Sequence, residues 1–117
     1  MAYQQRDIVL VHFPFTDLSN TKLRPAIVLS SASINSLGDF VCAQITSQRL
    51  TDDTFFPLLP KMLETALPLT SGIRMHKLFC LSEKLIVHKV SSIYPQAFYE
   101  LTKKINGVVF GFEPSNS

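Results

Sequence analysis

The chain has 117 residues, which is the size of a single domain. Hydrophobic residues make up 46% of it and charged residues 17%, so it has enough apolar material for a core, and intrinsic disorder is excluded. The net charge of +2 is too small to identify a nucleic-acid-binding protein by charge alone. The low charge predicts that a second copy of the chain covers part of the apolar surface.

The cysteines and the N-terminal segment predict a cytoplasmic protein. Cys42 and Cys80 are far apart in the sequence and form no CxxC pair, so we expect free thiols in a reducing compartment. The first apolar run is short and directly follows Arg6 and Asp7. We therefore expect neither a signal peptide nor contact with a membrane.

Six short segments have the composition of β-strands and are separated by turn-forming residues. They are predicted at residues 7–13, 25–31, 40–46, 54–59, 73–81 and 85–90. Pro57 indicates that the fourth strand lies at an edge of the sheet. The residues between the second and third strands, around Gly38, are predicted to form a turn.

The third predicted strand alternates between two faces. Val41, Ala43 and Ile45 form the predicted core face. Gln44 and Thr46 are on the other face and are expected to point away from the core.

Apolar residues at three- and four-residue steps predict one amphipathic helix near the C-terminus. They are Phe98, Leu101, Ile105, Val108 and Val109. Pro95 suits the first helical turn, an interruption is expected at residues 106–107, and residues 113–117 should be a frayed tail. Together these elements predict a single mainly β (α+β) domain over residues 1–117, a strongly bent sheet or partly open barrel with one helix packed on it.

Polar side chains gather where the predicted strands begin or end. They are Arg24, Thr46, Ser47, Gln48, Arg49, Arg74 and His76. Guanidinium groups bind phosphate, hydroxyls donate to phosphoryl oxygens, and imidazole transfers protons near neutral pH. Such groups can cleave RNA through its own 2′-hydroxyl, although a structural role is the commoner explanation for spacing of this kind. No metal-ligand or phosphate-loop motif occurs in the sequence, so we expect no metal and no cofactor.

Three stretches of the sequence resemble the PemK/MazF family of toxins from type II toxin–antitoxin systems. They read RDIVLVHFPFTDLSNTKLRPAIVLSS, DFVCAQITSQ and TSGIRMHKLFCLSEKLIVHKV, and the resemblance extends over residues 6–105. It implies an SH3-like, partly open β-barrel with a C-terminal helix, assembled as a homodimer. It further implies a metal-independent, sequence-selective endoribonuclease that cleaves single-stranded RNA and leaves a 2′,3′-cyclic phosphate. The implied partners are a cognate antitoxin protein and, only as the toxin–antitoxin complex, operator DNA.

The resemblance also implies roles for individual residues. Arg24 and Thr46 match catalytic residues of the family, and Arg74 matches an acid-catalytic arginine of some members. His76 stands where those members usually have aspartate. Because arginine keeps its proton far above neutral pH whereas histidine ordinarily titrates near 6.5, we expect His76 to transfer protons, unless the change marks a loss of activity. His12, Thr16, Ser47, Gln48 and Arg49 are expected to contact RNA.

Alternative interpretations apply to several of these residues. His12 fits a structural strand histidine as well, and Arg74 could pair with Asp52 or Asp53. Arg6 departs from the family, in which most members have glycine before the aspartate, and so does the segment at residues 90–93.

Two other functions fit the same fold. One is a toxin that inhibits a protein such as DNA gyrase without cleaving RNA, which the presence of both Arg24 and Thr46 disfavours. The other is an inactive module that serves antitoxin binding or operator regulation.

Overall fold

A single antiparallel sheet of six strands dominates the structure, a computed structural model that describes residues 3–13 and 22–111. The strands are β1 (Asp7–His12), β2 (Leu23–Val28), β3 (Asp39–Thr46), β4 (Phe55–Leu58), β5 (Ser71–Ser82) and β6 (Ile86–Ser92). Their order across the sheet is β4-β5-β3-β2-β1-β6. Within the described residues β4 and β6 do not pair with each other, so the predicted barrel is partly open, and the mainly β, α+β architecture is confirmed.

Helical elements lie between β2 and β3 and after β6. They are α1 (Ala32–Asn35), α2 (Pro95–Ile105), 3-10 turns at Pro60–Met62 and Glu83–Leu85, and a π-helical turn at Asn106–Phe110. The π-helical turn begins where the interruption of the C-terminal helix was expected. Neither α-helix in the described ranges is long and apolar enough to cross a membrane.

The prediction of a turn between β2 and β3 is wrong in one respect, because the segment contains the short helix α1. Asn35 at its end is buried. The Asn35 side-chain amide donates to the Ser30 carbonyl oxygen at 3.0 Å, and the Ser30 hydroxyl donates to Asn35 Oδ1 at 2.5 Å. These bonds hold one helical turn in a sequence whose serines and asparagines otherwise favour an open turn. Gly38, with φ +87°, then leads into β3.

The prediction that only one face of β3 belongs to the core is also wrong. Ala43 and Ile45 pack with α2 in one hydrophobic cluster, as expected, whereas Val41 is only half-buried and belongs to neither cluster. Phe40 and Cys42, on the opposite face, pack in a second cluster. Nearly all of that cluster comes from strands, because the sheet bends around it. Both cysteines are free, and burial, followed by the nearby Cys80 thiol, raises the pKa of Cys42 to about 12.

Helix α2 covers the first hydrophobic cluster through residues spaced four apart. Ala97, Leu101 and Ile105 are all buried, and Leu101 has no exposed surface. Pro95 occupies the first turn, where its missing N–H breaks no hydrogen bond. Lys103 and Lys104 lie on the exposed side, so the predicted amphipathic helix is confirmed, but Val108, predicted on its apolar side, is 44% exposed in the π-helical turn.

Arg6 lies in a left-handed backbone conformation, with φ +82°. Its backbone N–H donates to the Val28 carbonyl oxygen and its own carbonyl oxygen accepts from the Ile93 N–H, both at 3.0 Å. Its guanidinium donates to the Ile93 carbonyl oxygen at 2.8 Å and lies 3.9 Å from a Glu64 carboxylate oxygen. The turn before β1 is thereby attached to the ends of both neighbouring strands.

Candidate functional site

The adjacent ends of β2 and β3 bring Arg24 and Thr46 together. Strands β2 and β3 are antiparallel, and the last pair of opposite residues at this end is Ala26 and Gln44. Continuing this register by two residues places Arg24 opposite Thr46. Both residues line one cavity of about 410 Å³. The sequence-predicted pair therefore meets in the folded chain.

The walls of this cavity are mostly apolar. Leu67, Pro68 and Leu69, from the segment before β5, form one side, and Leu10, Ile45 and Val90 are among the other lining residues. Lys22 and Ser47 also line the cavity. A small set of cationic and hydroxyl groups beside an apolar wall is typical of a binding site.

The polar groups of Arg24 and Thr46 are available to a ligand. Thr46 Oγ1 accepts a hydrogen bond from the Gln48 backbone N–H at 3.0 Å, so the hydroxyl proton remains to be donated elsewhere. Arg24 is half-buried, and within residues 3–13 and 22–111 its guanidinium has neither a hydrogen-bond nor an ion-pair partner. A half-buried cation without a partner favours binding of an anion such as a phosphate.

Arg74 lies on β5 opposite Gln44, two residues along the strand from Gly72, which is opposite Thr46. Its Nη2 is 3.4 Å from His76 Nε2. Its Nε is buried and has no hydrogen-bond partner in the described part of the chain. No carboxylate oxygen of the described residues lies within salt-bridge distance of Arg74, so the alternative of an Asp52 or Asp53 ion pair is not seen.

Asp52 lies in the turn before β4 and interacts electrostatically with Arg74 and His76. The Thr54 backbone N–H donates to Asp52 Oδ1 at 2.9 Å, and the Thr54 hydroxyl donates to the same oxygen. The Thr54 carbonyl oxygen in turn accepts from the Met75 N–H at 2.7 Å, between Arg74 and His76. The Thr54 hydrogen bonds, with a smaller effect of the positive charge of Arg74 and His76, hold the pKa of Asp52 below its usual value.

The structure does not bring His76 to the Arg24–Thr46 pair. His76 follows Gly72, the residue opposite Thr46, by four residues, roughly 13 Å along an extended strand. His76 is exposed and reaches the site only through its contact with Arg74. The β3–β5 register also shifts between Ala43 and Gln44, which the sequence does not indicate.

The predicted RNA-binding residues have different positions. Ser47 lines the cavity, and Gln48 and Arg49 are exposed directly after β3. His12 ends β1 opposite Leu23; Leu23 lines the cavity and His12 does not. Thr16 lies outside the described residues. In the described ranges no three His, Cys, Asp or Glu side chains are grouped so that they could bind a metal ion.

Sequence reasoning missed the contact between Phe55 and Gly72 beside Thr46. A Cβ atom at Gly72 would lie 2.1 to 2.8 Å from three atoms of the Phe55 ring. A glycine inside a strand often marks close approach of another group, so Gly72 was an available signal. The apolar wall at residues 67–69 was also missed, because nothing in its composition distinguishes it from an ordinary loop.

Comparison with known proteins places the chain in a family. Residues 4–109 match the family of PemK-like, MazF-like toxins of type II toxin–antitoxin systems. No curated protein matches the chain in sequence.

Solved structures show the same fold at low sequence identity. An endoribonuclease in complex with its cognate antitoxin, from a mycobacterial species, is 15% identical, with a TM-score of 0.76 over 97% of this chain and 100% of that one. MazF of Deinococcus radiodurans is 18% identical, with a TM-score of 0.75 over 96% and 99%. The Mycobacterium tuberculosis toxin MazF-mt6 is 16% identical, with a TM-score of 0.74 over 93% and 100%. With the family match extending over nearly the whole domain, the chain belongs to the PemK-like, MazF-like toxins of type II toxin–antitoxin systems.

Proposed function

We propose that this toxin is a metal-independent, sequence-selective endoribonuclease that cleaves single-stranded RNA to 2′,3′-cyclic phosphate and 5′-hydroxyl ends. The observation that carries the proposal is the meeting of Arg24 and Thr46 at one cavity. Two similar folds are described as endoribonucleases, which supports the same activity here.

Arg24 and Thr46 would stabilise the transition state of the cleavage. The RNA 2′-oxygen attacks phosphorus, the bond from phosphorus to the 5′-oxygen breaks, and negative charge builds up on the phosphoryl oxygens in between. The Arg24 cation, which has no partner among the described residues, and the Thr46 hydroxyl proton can both be directed at these oxygens. The Gln48 N–H bond to Thr46 Oγ1 orients that hydroxyl before RNA binds.

Arg74 and His76 would act together on the side of β5, with Arg74 as a fixed cation for the phosphate and His76 as the side chain that contacts Arg74. Since arginine is always a donor, the 3.4 Å distance from Arg74 Nη2 to His76 Nε2 fits a hydrogen bond that helps to hold Arg74 in place.

Purified toxin should cleave a long RNA equally well in EDTA and in magnesium. The groups assigned to the chemistry are protein cations and a hydroxyl, which EDTA does not remove. Product ends are identified by labelling, since a 5′-hydroxyl accepts phosphate from polynucleotide kinase directly. Cleavage abolished by EDTA and restored by magnesium would contradict the proposal. No cleavage of any RNA would favour the toxin that inhibits a protein target.

His76→Ala should lower the cleavage rate at pH 7.5, because the His76 ring is the side chain that contacts Arg74 Nη2, at 3.4 Å. His76→Asp should retain more activity than His76→Ala, because a carboxylate also accepts from Arg74. His88→Ala, on an exposed part of β6, is the matched control, and equal cleavage rates for wild type and His76→Ala would assign His76 a structural role.

The proposal includes the partners and location expected for such a toxin. A homodimer would cover apolar side chains that are exposed in the single chain, among them Val108 and Phe110. A cognate antitoxin would neutralise the toxin, as in the complexes formed by similar folds. Binding to operator DNA would require that complex, and the site of action would be the cytoplasm.

A further inference from the structure

Two transverse rows of residues share the face of the sheet that carries Thr46. Directly opposite residues of paired strands lie on one face. The first row is Thr46 on β3, Gly72 on β5 and Pro57 on β4. The second row is Gln44, Arg74 and Phe55 on the same three strands. Gly72 therefore leaves a position without a side chain next to Thr46, within a surface that is otherwise covered.

The Phe55 ring occupies this position. A Cβ atom at Gly72 would be 2.1 Å from Cζ, 2.3 Å from Cε1 and 2.8 Å from Cε2 of the ring. The three distances are similar, so the Cβ position lies above the face of the ring, near Cζ. A Cβ atom in the plane of the ring, at the same distance from Cζ, would be farther from Cε2. One face of the ring rests on Gly72, and the other points away from the sheet.

The Phe55 ring is not part of the hydrophobic core. Phe55 belongs to neither hydrophobic cluster and is half-buried. Its side chain lies beside Thr46 on one side and in the same row as Arg74, whose Nε is a buried donor without a partner in the described residues. An aromatic face that lies between a hydroxyl and a guanidinium can bind a nucleotide, because the base stacks on the ring and the phosphate accepts hydrogen bonds from the two polar groups.

We propose that Phe55 is the stacking residue for a base next to the cleaved phosphate of single-stranded RNA, and that Gly72 exists to let the ring lie flat in that place. This inference rests on the proposed function, because it assigns a base to the site that binds the RNA. The ring lies about one strand spacing, about 4.8 Å, from the strand of Thr46. When Arg24 and Thr46 hold a phosphate, the base of one of the two nucleotides that it joins is therefore within reach of the ring.

Binding to a mixed-sequence 12-nucleotide 2′-O-methyl RNA tests the proposal, because this probe lacks the attacking hydroxyl and stays intact. Fluorescence anisotropy at fixed salt should show about tenfold weaker binding for Phe55→Leu, within the range known for loss of one base–aromatic stack. Phe55→Trp, which keeps an aromatic face, should bind at least as tightly as wild type. Gly72→Ala should weaken binding like Phe55→Leu, because the new Cβ displaces the ring while Phe55 itself is retained.

Controls separate stacking from other causes. Tyr99→Leu, which removes an aromatic ring 59% exposed on α2, should leave binding unchanged. Circular dichroism melts should show that each variant is folded. A second probe with one 2-aminopurine at each position in turn should show quenching at one position in wild type and not in Phe55→Leu.

The outcomes distinguish this proposal from the function on which it rests. Equal binding by wild type and Phe55→Leu, with wild type binding normally, overturns the stacking proposal alone. If Phe55→Trp binds the probe as weakly as Phe55→Leu does, the stacking proposal is also overturned, because an aromatic face then makes no difference to binding. A wild type that neither binds the probe nor cleaves any long RNA overturns both the stacking and the endoribonuclease proposals.

Discussion

Arg24→Ala and Thr46→Val should each lower the rate of RNA cleavage by a hundredfold or more. Removing one preorganised donor to a developing negative charge typically costs about 10²–10³ in kcat. Thr46→Val keeps the shape of the side chain and removes only the hydroxyl that Gln48 orients. Single-turnover cleavage of a labelled RNA, measured at saturating enzyme, reports this loss without a contribution from binding.

Conservative variants provide the control for this prediction. Thr46→Ser restores the hydroxyl and should recover most of the rate, whereas Arg24→Lys should recover only part, because one ammonium group does not reproduce the forked donor geometry of a guanidinium. Folded Arg24→Ala and Thr46→Val proteins that cleave at near-normal rates would show that these residues are not catalytic.

Leu101→Ala should destabilise the folded protein by about 3 kcal/mol, within the range of 2–5 kcal/mol found for buried leucines. Leu101 is fully buried between α2 and the sheet, so truncation leaves a cavity that neighbouring strand residues cannot fill. Urea denaturation at a fixed protein concentration measures the change in the free energy of unfolding.

Gln96→Ala is the matched control, since it alters an exposed residue of the same helix and should change stability by less than about 0.5 kcal/mol. Similar unfolding midpoints for Leu101→Ala and wild type would show that α2 contributes little to the stability of the sheet.

The elements that could be predicted from the sequence are those with a strong local pattern. Residues 7–13 are β-branched and bounded by turn formers, and β1 forms there. Pro95 and the four-residue spacing of Ala97, Leu101 and Ile105 determine where α2 begins and which side it buries. These signals depend on neighbouring residues alone, so a single sequence contains them.

The features that were missed depend on contacts between distant residues. Alternation in β3 cannot show that both faces are buried, because the burial of Phe40 and Cys42 requires the sheet to bend around them. The shift of β5 against β3, which places Arg74 opposite Gln44, is likewise a property of the assembled sheet. Arg24 and Thr46 were assigned by family resemblance, and only the register explains physically why two residues 22 positions apart meet.

Arg6 meets a backbone requirement that ordinarily favours glycine. A left-handed conformation costs a non-glycine residue roughly 1–2 kcal/mol. The guanidinium bond to the Ile93 carbonyl oxygen is of the charged kind, worth about 1.5–3 kcal/mol, and arginine also restricts the unfolded chain more than glycine does. Glycine at this position would avoid the strain and lack the bond. The two residues are therefore near-equivalent solutions to one steric requirement in the turn before β1.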